Sequence, residues 1–198
     1  MTSFLRKVQW KMAASRRRRA VEETMRWDVK VLGYEMARQM ALRLGSATIA
    51  DRPGAYGLMS KACVQADIES PWFAYWAHRL NVTPVYHRKL WEFCFILQAL
   101  AEAGALAAGA QAVGFGCGAE PLPSLFAAMG IAVLATDAPA ETVAGTGWTE
   151  SGQYSQSLDA LYKPDLCDRP SFDRLVRLRH VDMRRIPDDL GRRFDFTW

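Results

Sequence analysis

A chain of 198 residues, half of them apolar, can bury one sizeable core, which favours a single α/β domain with some additional helix. The net charge is +4, but residues 1–30 hold nine Lys and Arg against three acidic residues and so carry +6, which leaves −2 for all later residues. Any attraction to nucleic acid or anionic lipid therefore belongs to the first 30 residues. We expect no broad basic surface on the rest of the chain.

Cysteine, histidine and apolar patterns exclude several other classes. The cysteines form no CxxC pair, which argues against a zinc knuckle and a disulfide framework and favours reduced thiols in a cytoplasmic protein. The three histidines include no helical pair, so we expect no metal site. No run of about 18 uncharged apolar residues is available to span a bilayer. The four cysteines are Cys63, Cys94, Cys117 and Cys167.

The first predicted region is a basic helical arm over residues 1–52. From Phe4 to about Leu44, apolar residues recur at three- and four-residue spacing without proline, which predicts one or two helices. Turn residues at 51–54 end the arm. The run Arg16–Arg19 could contact phosphates in a salt-sensitive way, but we favour its interpretation as a solvated helix face.

Residues 53–109 are predicted to form a helical lead-in region. Pro71 suits the first turn of a short aromatic helix, and residues 86–103 predict a strongly apolar helix that ends before Gly104. On that helix Trp91 is interpreted as a core residue and Glu92 as a solvated or capping residue, because burial preferences make these roles commoner than ligand contact.

Residues 110–198 alternate short apolar runs with helical or turn-rich stretches. The predicted strands cover residues 111–115, 131–136, 178–181 and 194–198, and the predicted helices cover residues 121–129 and the surroundings of 158–162. This alternation predicts an α/β fold with a doubly wound, mostly parallel sheet.

A glycine-rich loop, Gly114-Phe115-Gly116-Cys117-Gly118-Ala119, leaves the first predicted strand and precedes a helix, which is the context that a nucleotide-binding loop requires. Glycine is needed where the backbone turns sharply or where a ligand lies against the main chain. Asp137 ends the second strand and Asp182 the third, so both should face the crevice at the carboxyl ends of the strands. There Asp137 could accept ribose hydroxyls and Asp182 an adenine amino group, although either acid alone is equally suited to capping a turn or helix.

Taken in order, these motifs resemble motifs I to IV of the class I, Rossmann-like S-adenosylmethionine-dependent methyltransferases. The matching features are Gly-x-Gly-x-Gly after strand one, an acid ending strand two, Val181-Asp182-Met183 after strand three, and Phe194-Asp195-Phe196-Thr197-Trp198 in strand four. The resemblance covers roughly residues 86–198. It implies an enzyme that binds S-adenosylmethionine and methylates an acceptor, for which we expect a small molecule or a glycan.

The resemblance also implies a cofactor site. Within it the glycines approach the methionine portion of S-adenosylmethionine, Asp137 holds the ribose, and Asp182 with Met183 borders the adenine. The expected members of the site are Gly114, Phe115, Gly116, Gly118, Glu120, Asp137, Asp182 and Met183.

One position departs from the family pattern. Members often have an acidic residue two places before the first glycine, where this chain has Ala112. Glu120, just past the loop, is our candidate to replace that acid in contacting the methionyl amino group. The loop at 145–154, with Trp148 and Tyr154, is a candidate lid, and a surface loop is an equally good interpretation. The sequence identifies no catalytic base.

Two other functional classes stay open. The loop also satisfies G-x-G-x-x-G/A, and Asp137 lies near the distance expected of a ribose acid, so a NAD(P)-dependent Rossmann oxidoreductase is the main alternative. The long apolar helix before strand one and the motifs at strands three and four argue against it. The second alternative is a non-catalytic module whose basic arm recruits nucleic acid or a partner; otherwise nucleic acid is not an expected partner.

The predicted fourth strand reaches the last residue, Trp198. The resemblance implies about three further strands and their helices, with the acceptor side of the site among them. We therefore expect these 198 residues to be a fragment that associates through an exposed strand edge and is weak or inactive as a catalyst.

Overall fold

A computed structural model of the chain describes residues 2–42, 49–139, 157–191 and 193–198, with side chains from Ser15 onward. The chain divides into two compact units, Met1–Ser46 and Ala47–Trp198. Within the described ranges, no helix combines the length and the apolar character needed to cross a membrane.

In its described part, residues 2–42, the first unit forms one helix, α1 (Thr2–Ala41). The sequence predicted one or two helices here, and a single continuous helix agrees with the absence of proline from this span. Polar and apolar side chains are mixed around the helix axis, and large apolar residues such as Met25 and Leu32 are about 60% exposed. Successive helical residues point about 100° apart, so the exposed run Arg16–Arg19 surrounds the helix instead of forming one face.

Three helices begin the second unit: α2 (Gln65–Ile68), α3 (Pro71–Arg79) and α4 (Arg88–Glu102). The Ser70 hydroxyl accepts a hydrogen bond from the Phe73 N–H and caps α3, as the Ser-Pro start favours.

Buried aromatic residues join α3 to α4. The indole N–H of Trp76 donates to Gln98 Oε1 at 2.7 Å, which satisfies two polar groups inside the apolar contact. Trp91 is also buried, and its indole N–H donates to Asp67 Oδ2 at 3.0 Å. The interpretation of Trp91 as a core residue is therefore confirmed.

The second unit also contains an open sheet of four strands, all parallel, in the order β3-β2-β1-β4. The predicted α/β class with a mostly parallel sheet is confirmed. The strands are β1 (Gln111–Phe115), β2 (Ala132–Asp137), β3 (Val176–His180) and β4 (Phe196–Thr197). The other helices among the described residues are α5 (Leu122–Ala128), α6 (Leu158–Leu161), α7 (Arg169–Leu175) and a 3₁₀ helix (Asp188–Leu190).

The bounds of three strands differ from the prediction, those of β2 by one residue at each end. β3 begins two residues before the predicted Leu178 and ends one residue before Val181. Arg177 and Arg179 interrupt its apolar pattern, which an edge strand permits because part of its surface is solvated. β4 is shorter than residues 194–198, but Trp198 continues its pairing, since its N–H donates to the Val113 carbonyl and its own carbonyl accepts from the Phe115 N–H.

Helix α5 connects β1 to β2 and forms the centre of the core on one side of the sheet. It packs against β2, β3 and α7, and all residues from 122 to 127 are buried, because the helix has neighbours on opposite sides. Phe126 is fully buried, with ring centroids 5.3 Å from Phe196 and 5.1 Å from Trp198 in edge-to-face contact. These rings fix the position of β4 over α5.

Two isoleucines offer a matched test of this core. Ile131, which precedes β2, is fully buried, whereas Ile186 is 50% exposed. We expect Ile131→Ala to lower the free energy of unfolding by about 2–5 kcal/mol, since it removes buried methyl groups and leaves a cavity. Ile186→Ala should change it by no more than about 0.5 kcal/mol. Urea unfolding followed by circular dichroism measures both, and equal costs would contradict the burial described here.

Candidate functional site

The carboxyl ends of all four strands meet at one edge of the sheet, because the strands are parallel. The glycine-rich loop leaves β1 at this edge, and Asp137 is the last residue of β2. Asp182 lies two residues beyond β3, and Trp198 follows β4. The topology therefore brings the predicted site residues to the same edge.

The glycine-rich loop turns back over the end of β2. Gly116 and Gly118 have φ values of 69° and 54°, which glycine adopts without the steric cost that other residues meet. The N–H of Cys117, between them, donates to the Thr136 carbonyl at 2.9 Å. A Cβ atom built on Gly116 would meet nothing within 4 Å, so the loop has open space beside its backbone at this point.

Gly114 has a different environment. A Cβ atom there would lie 2.3 Å from Cζ2 of Trp198 and 2.5 Å from Sγ of Cys117. The Gly114 carbonyl accepts a hydrogen bond from the buried Thr136 hydroxyl at 2.8 Å. The family resemblance implies that Gly114 approaches the cofactor. In the structure, the groups that leave no room for a side chain at this position are the Trp198 indole ring and the Cys117 thiol.

Asp137 is buried and bonded to the loop. Its Oδ2 accepts from the Gly118 N–H at 3.2 Å, and its Oδ1 accepts from the Ala138 N–H at 2.9 Å. The Asp137 carbonyl also accepts from the Val181 N–H at 2.8 Å, which extends the connection to the end of β3. The loop and the acid predicted to hold the ribose are thus fixed together.

Glu120 lies on the β4 side of the loop. Its Oε1 accepts a hydrogen bond of 2.6 Å from the Trp198 indole N–H. Burial raises the pKa of the Glu120 carboxyl to about 7, against the opposing effect of hydrogen bonds from Trp198 and Cys117. Burial likewise raises the pKa of the Cys117 thiol, so this thiol is neutral and a poor nucleophile.

Asp182 and Met183 are more exposed than Asp137. Arg184 binds the Asp182 carboxylate with its backbone N–H, with Nε at 2.9 Å and with Nη2 at 3.0 Å. These hydrogen bonds hold the pKa of Asp182 below its usual value. Met183 is 58% exposed. An adenine amino group would therefore compete with Arg184 for this carboxylate.

The other candidate residues from the sequence add no group to this site among the described residues. Trp148 and Tyr154, in the predicted lid, lie outside the described residues. Glu92 forms ion pairs with Arg88 and Lys89 on the surface of α4. Over the described residues, no group of three or more His, Cys, Asp or Glu side chains is arranged to hold a metal ion. The side chains of Arg16–Arg19 form no ion pair with any acid that the structure describes.

A further cleft, open and about 450 Å³ in volume, lies away from the glycine-rich loop. It has no titratable side chain in its lining, so it offers no group for acid, base or metal chemistry. Its lining residues are Pro53, Trp76, Ala101, Gly104, Leu106 and Met129.

The site residue that sequence reasoning missed is Trp198. The sequence indicates it only as part of the fourth strand. Alternation along a strand places Trp198 on the same side as Phe196, which was a signal that the ring faces the core. Its hydrogen bond to Glu120 joins residues 78 positions apart, and no local pattern indicates such a pair.

Comparison of the chain with family models, with curated proteins and with solved structures finds no match. What the site can bind is therefore inferred from its geometry and from the chemistry of its residues.

The close packing of Gly114 generates a prediction that involves no ligand. We expect Gly114→Ala to lower the free energy of unfolding by about 1–3 kcal/mol, because the new methyl group overlaps the Trp198 ring and the Cys117 sulfur. In a Trp198→Ala background the cost should fall by about 1 kcal/mol, since neighbouring substitutions are coupled. Chemical denaturation of the four proteins in this mutant cycle measures the coupling.

Gly116→Ala is the matched control. Its cost of roughly 1–2 kcal/mol arises from the left-handed backbone and not from a neighbour. Trp198→Ala should therefore leave that cost unchanged. Additive effects for both glycines would show that Trp198 is not the group that crowds Gly114.

Proposed function

We propose that the chain binds S-adenosylmethionine at the carboxyl edge of its sheet and that the protein is a methyltransferase. The observation that carries this proposal is the hydrogen bond between Gly118 of the glycine-rich loop and the Asp137 carboxylate at the end of β2. A loop and an acid fixed in this way suit an adenosine whose ribose hydroxyls bond to the carboxylate. The strand order supports a Rossmann-like sheet, in which the first four strands follow the order 3-2-1-4.

The dimensions of this edge suit an extended ligand. Neighbouring strands lie about 4.8 Å apart, so the edge from β3 to β4 spans roughly 14 Å. Across it the order of groups is Asp182, Asp137, the glycine-rich loop and Glu120. We assign the adenine to the β3 side, the ribose to Asp137 and the methionine portion to the β4 side, beside the open backbone at Gly116.

The start of α5 argues against a dinucleotide. In dinucleotide-binding folds the pyrophosphate accepts hydrogen bonds from backbone N–H groups at the start of the helix after the loop. Here Pro121 precedes α5 and Pro123 lies in its first turn, so two of these N–H groups are missing. The carboxylate of Glu120, when ionised, would also repel a phosphate. The same carboxylate would attract the positive charge of a sulfonium or ammonium group.

The chemistry assigned to the protein is positioning. When bound, the sulfonium cofactor supplies an activated methyl group, which an acceptor oxygen, nitrogen or carbon takes while the electron pair of the broken bond returns to sulfur. The loop and Asp137 would hold the cofactor in one orientation, and such alignment contributes about 7–11 kcal/mol in favourable cases. We propose a small molecule or a glycan as the acceptor.

Calorimetric titration with S-adenosylhomocysteine tests the proposal. We expect saturable binding to the whole chain and a loss of about tenfold or more for Asp137→Asn, since hydrogen bonds to charged groups contribute about 1.5–3 kcal/mol. Asp189→Asn is the matched control, because Asp189 is an exposed acid paired with Arg179 and should leave the affinity unchanged.

Thermal unfolding of each variant shows whether it is folded before it is titrated. A folded wild-type chain that fails to bind S-adenosylhomocysteine would overturn the proposal. Unchanged affinity in Asp137→Asn would remove Asp137 from the site. Saturable binding of NADH without binding of S-adenosylhomocysteine would favour the oxidoreductase instead.

A further inference from the structure

The Trp198 ring is fixed by three contacts at the end of β4. Its indole N–H donates to Glu120 Oε1, its ring meets Phe126 edge-to-face, and its Cζ2 lies 2.3 Å from the position that a Cβ of residue 114 would take. Backbone pairing with Val113 and Phe115 holds the main chain of the same residue. An indole held on so many sides has little rotational freedom, so its N–H points in a fixed direction.

Few of the groups that the structure describes stabilise the charge of the Glu120 carboxylate. Burial raises its pKa, and the nearby charge of Asp137 acts in the same direction. Hydrogen bonds from Trp198 and Cys117 and the charge of Lys89 act in the opposite direction. The Cys117 thiol is a weak donor, which leaves the Trp198 indole as the strong hydrogen-bond donor among these groups.

We propose that Trp198 is a positioning residue, whose indole N–H holds the ionised Glu120 carboxylate where it binds the ammonium group at the amino acid end of the cofactor. The inference rests on the proposed function, because it assigns one end of the same ligand. Glu120 is then the group that selects a ligand with a positively charged tail. Trp198 acts only by holding Glu120 and does not contact the reacting atoms.

The pH dependence of binding follows from the charge of Glu120. A carboxyl group with a pKa of about 7 is ionised in roughly one molecule in eleven at pH 6 and in ten of eleven at pH 8. The dissociation constant for S-adenosylhomocysteine should therefore fall about tenfold between pH 6 and pH 8. Glu120→Gln should remove this dependence, because its side chain does not titrate.

The decisive variant is Trp198→Phe, which keeps an aromatic ring beside Phe126 and removes the N–H donor. Without that donor the pKa of Glu120 rises, so the neutral form prevails at pH 7. We expect the variant to bind S-adenosylhomocysteine about tenfold more weakly than wild type at pH 7, with a ratio that shrinks towards one at pH 9. Titration of the ligand itself is common to both proteins and cancels in the ratio.

Methylthioadenosine, which lacks the amino acid end, is the matched ligand. Wild type, Glu120→Gln and Trp198→Phe should bind it with equal affinity. Two results would overturn the inference, because either would mean that Trp198 acts only through packing. The first is a ratio of the Trp198→Phe and wild-type dissociation constants for S-adenosylhomocysteine that stays constant from pH 6 to pH 9. The second is an equal loss of affinity for methylthioadenosine.

A second measurement needs no ligand. Nuclear magnetic resonance titration of isotope-labelled glutamate should show the pKa of Glu120 moving upward in Trp198→Phe, and an unmoved pKa would overturn the inference. If wild type binds no S-adenosylhomocysteine, the proposed function fails, while this titration still reports whether Trp198 controls the charge of Glu120. If wild type binds and the titration shows no shift, only the positioning role fails.

Discussion

Parallel pairing of β1 with both β2 and β4 is the constraint on which the candidate site depends. A parallel sheet brings the carboxyl ends of its strands to one edge, and the connections that leave those ends must turn there. The turn after β1 is made by glycines with positive φ, and the turn after β2 begins at Asp137. Every other feature of the site is arranged around these two turns.

The two sides of the loop differ in chemistry. On the β2 side, backbone N–H groups of the loop and of Ala138 bond the Asp137 carboxylate and fix its orientation. On the β4 side Glu120 is half-buried, and its main donor is the indole of Trp198. A ligand that lies across the loop thus meets the hydrogen-bonded Asp137 carboxylate at one end. At the other end it meets the Glu120 carboxylate, whose negative charge is only weakly stabilised. A neutral ribose and a cationic tail would match this asymmetry.

Two backbone N–H donors that dinucleotide-binding folds use are missing from the start of α5, although the glycine spacing also fits such a fold. Glycine spacing reports only that the backbone turns sharply, and both ligand classes require that. The prolines at the start of α5 and the adjacent Glu120 change what the turn can bind, because they remove donors and add a negative charge. We therefore regard the residues after the glycines as more informative about the ligand than the glycines themselves.

Local sequence patterns determined the elements of this protein. Apolar runs bounded by glycine predicted β1 with its observed bounds and placed β2 within one residue, because strand alternation and turn residues act over a few positions. The start of β3 is not predicted, because charged residues interrupt its apolar pattern, as an edge strand permits.

Only the tertiary structure decided that Trp198 packs on Gly114 and donates a hydrogen bond to Glu120, and that Arg184 donates to the Asp182 carboxylate. The pairing of Trp198 with Glu120 depends on how the sheet brings distant residues together, and the raised pKa of Glu120 depends on its burial. No local sequence pattern predicts either property.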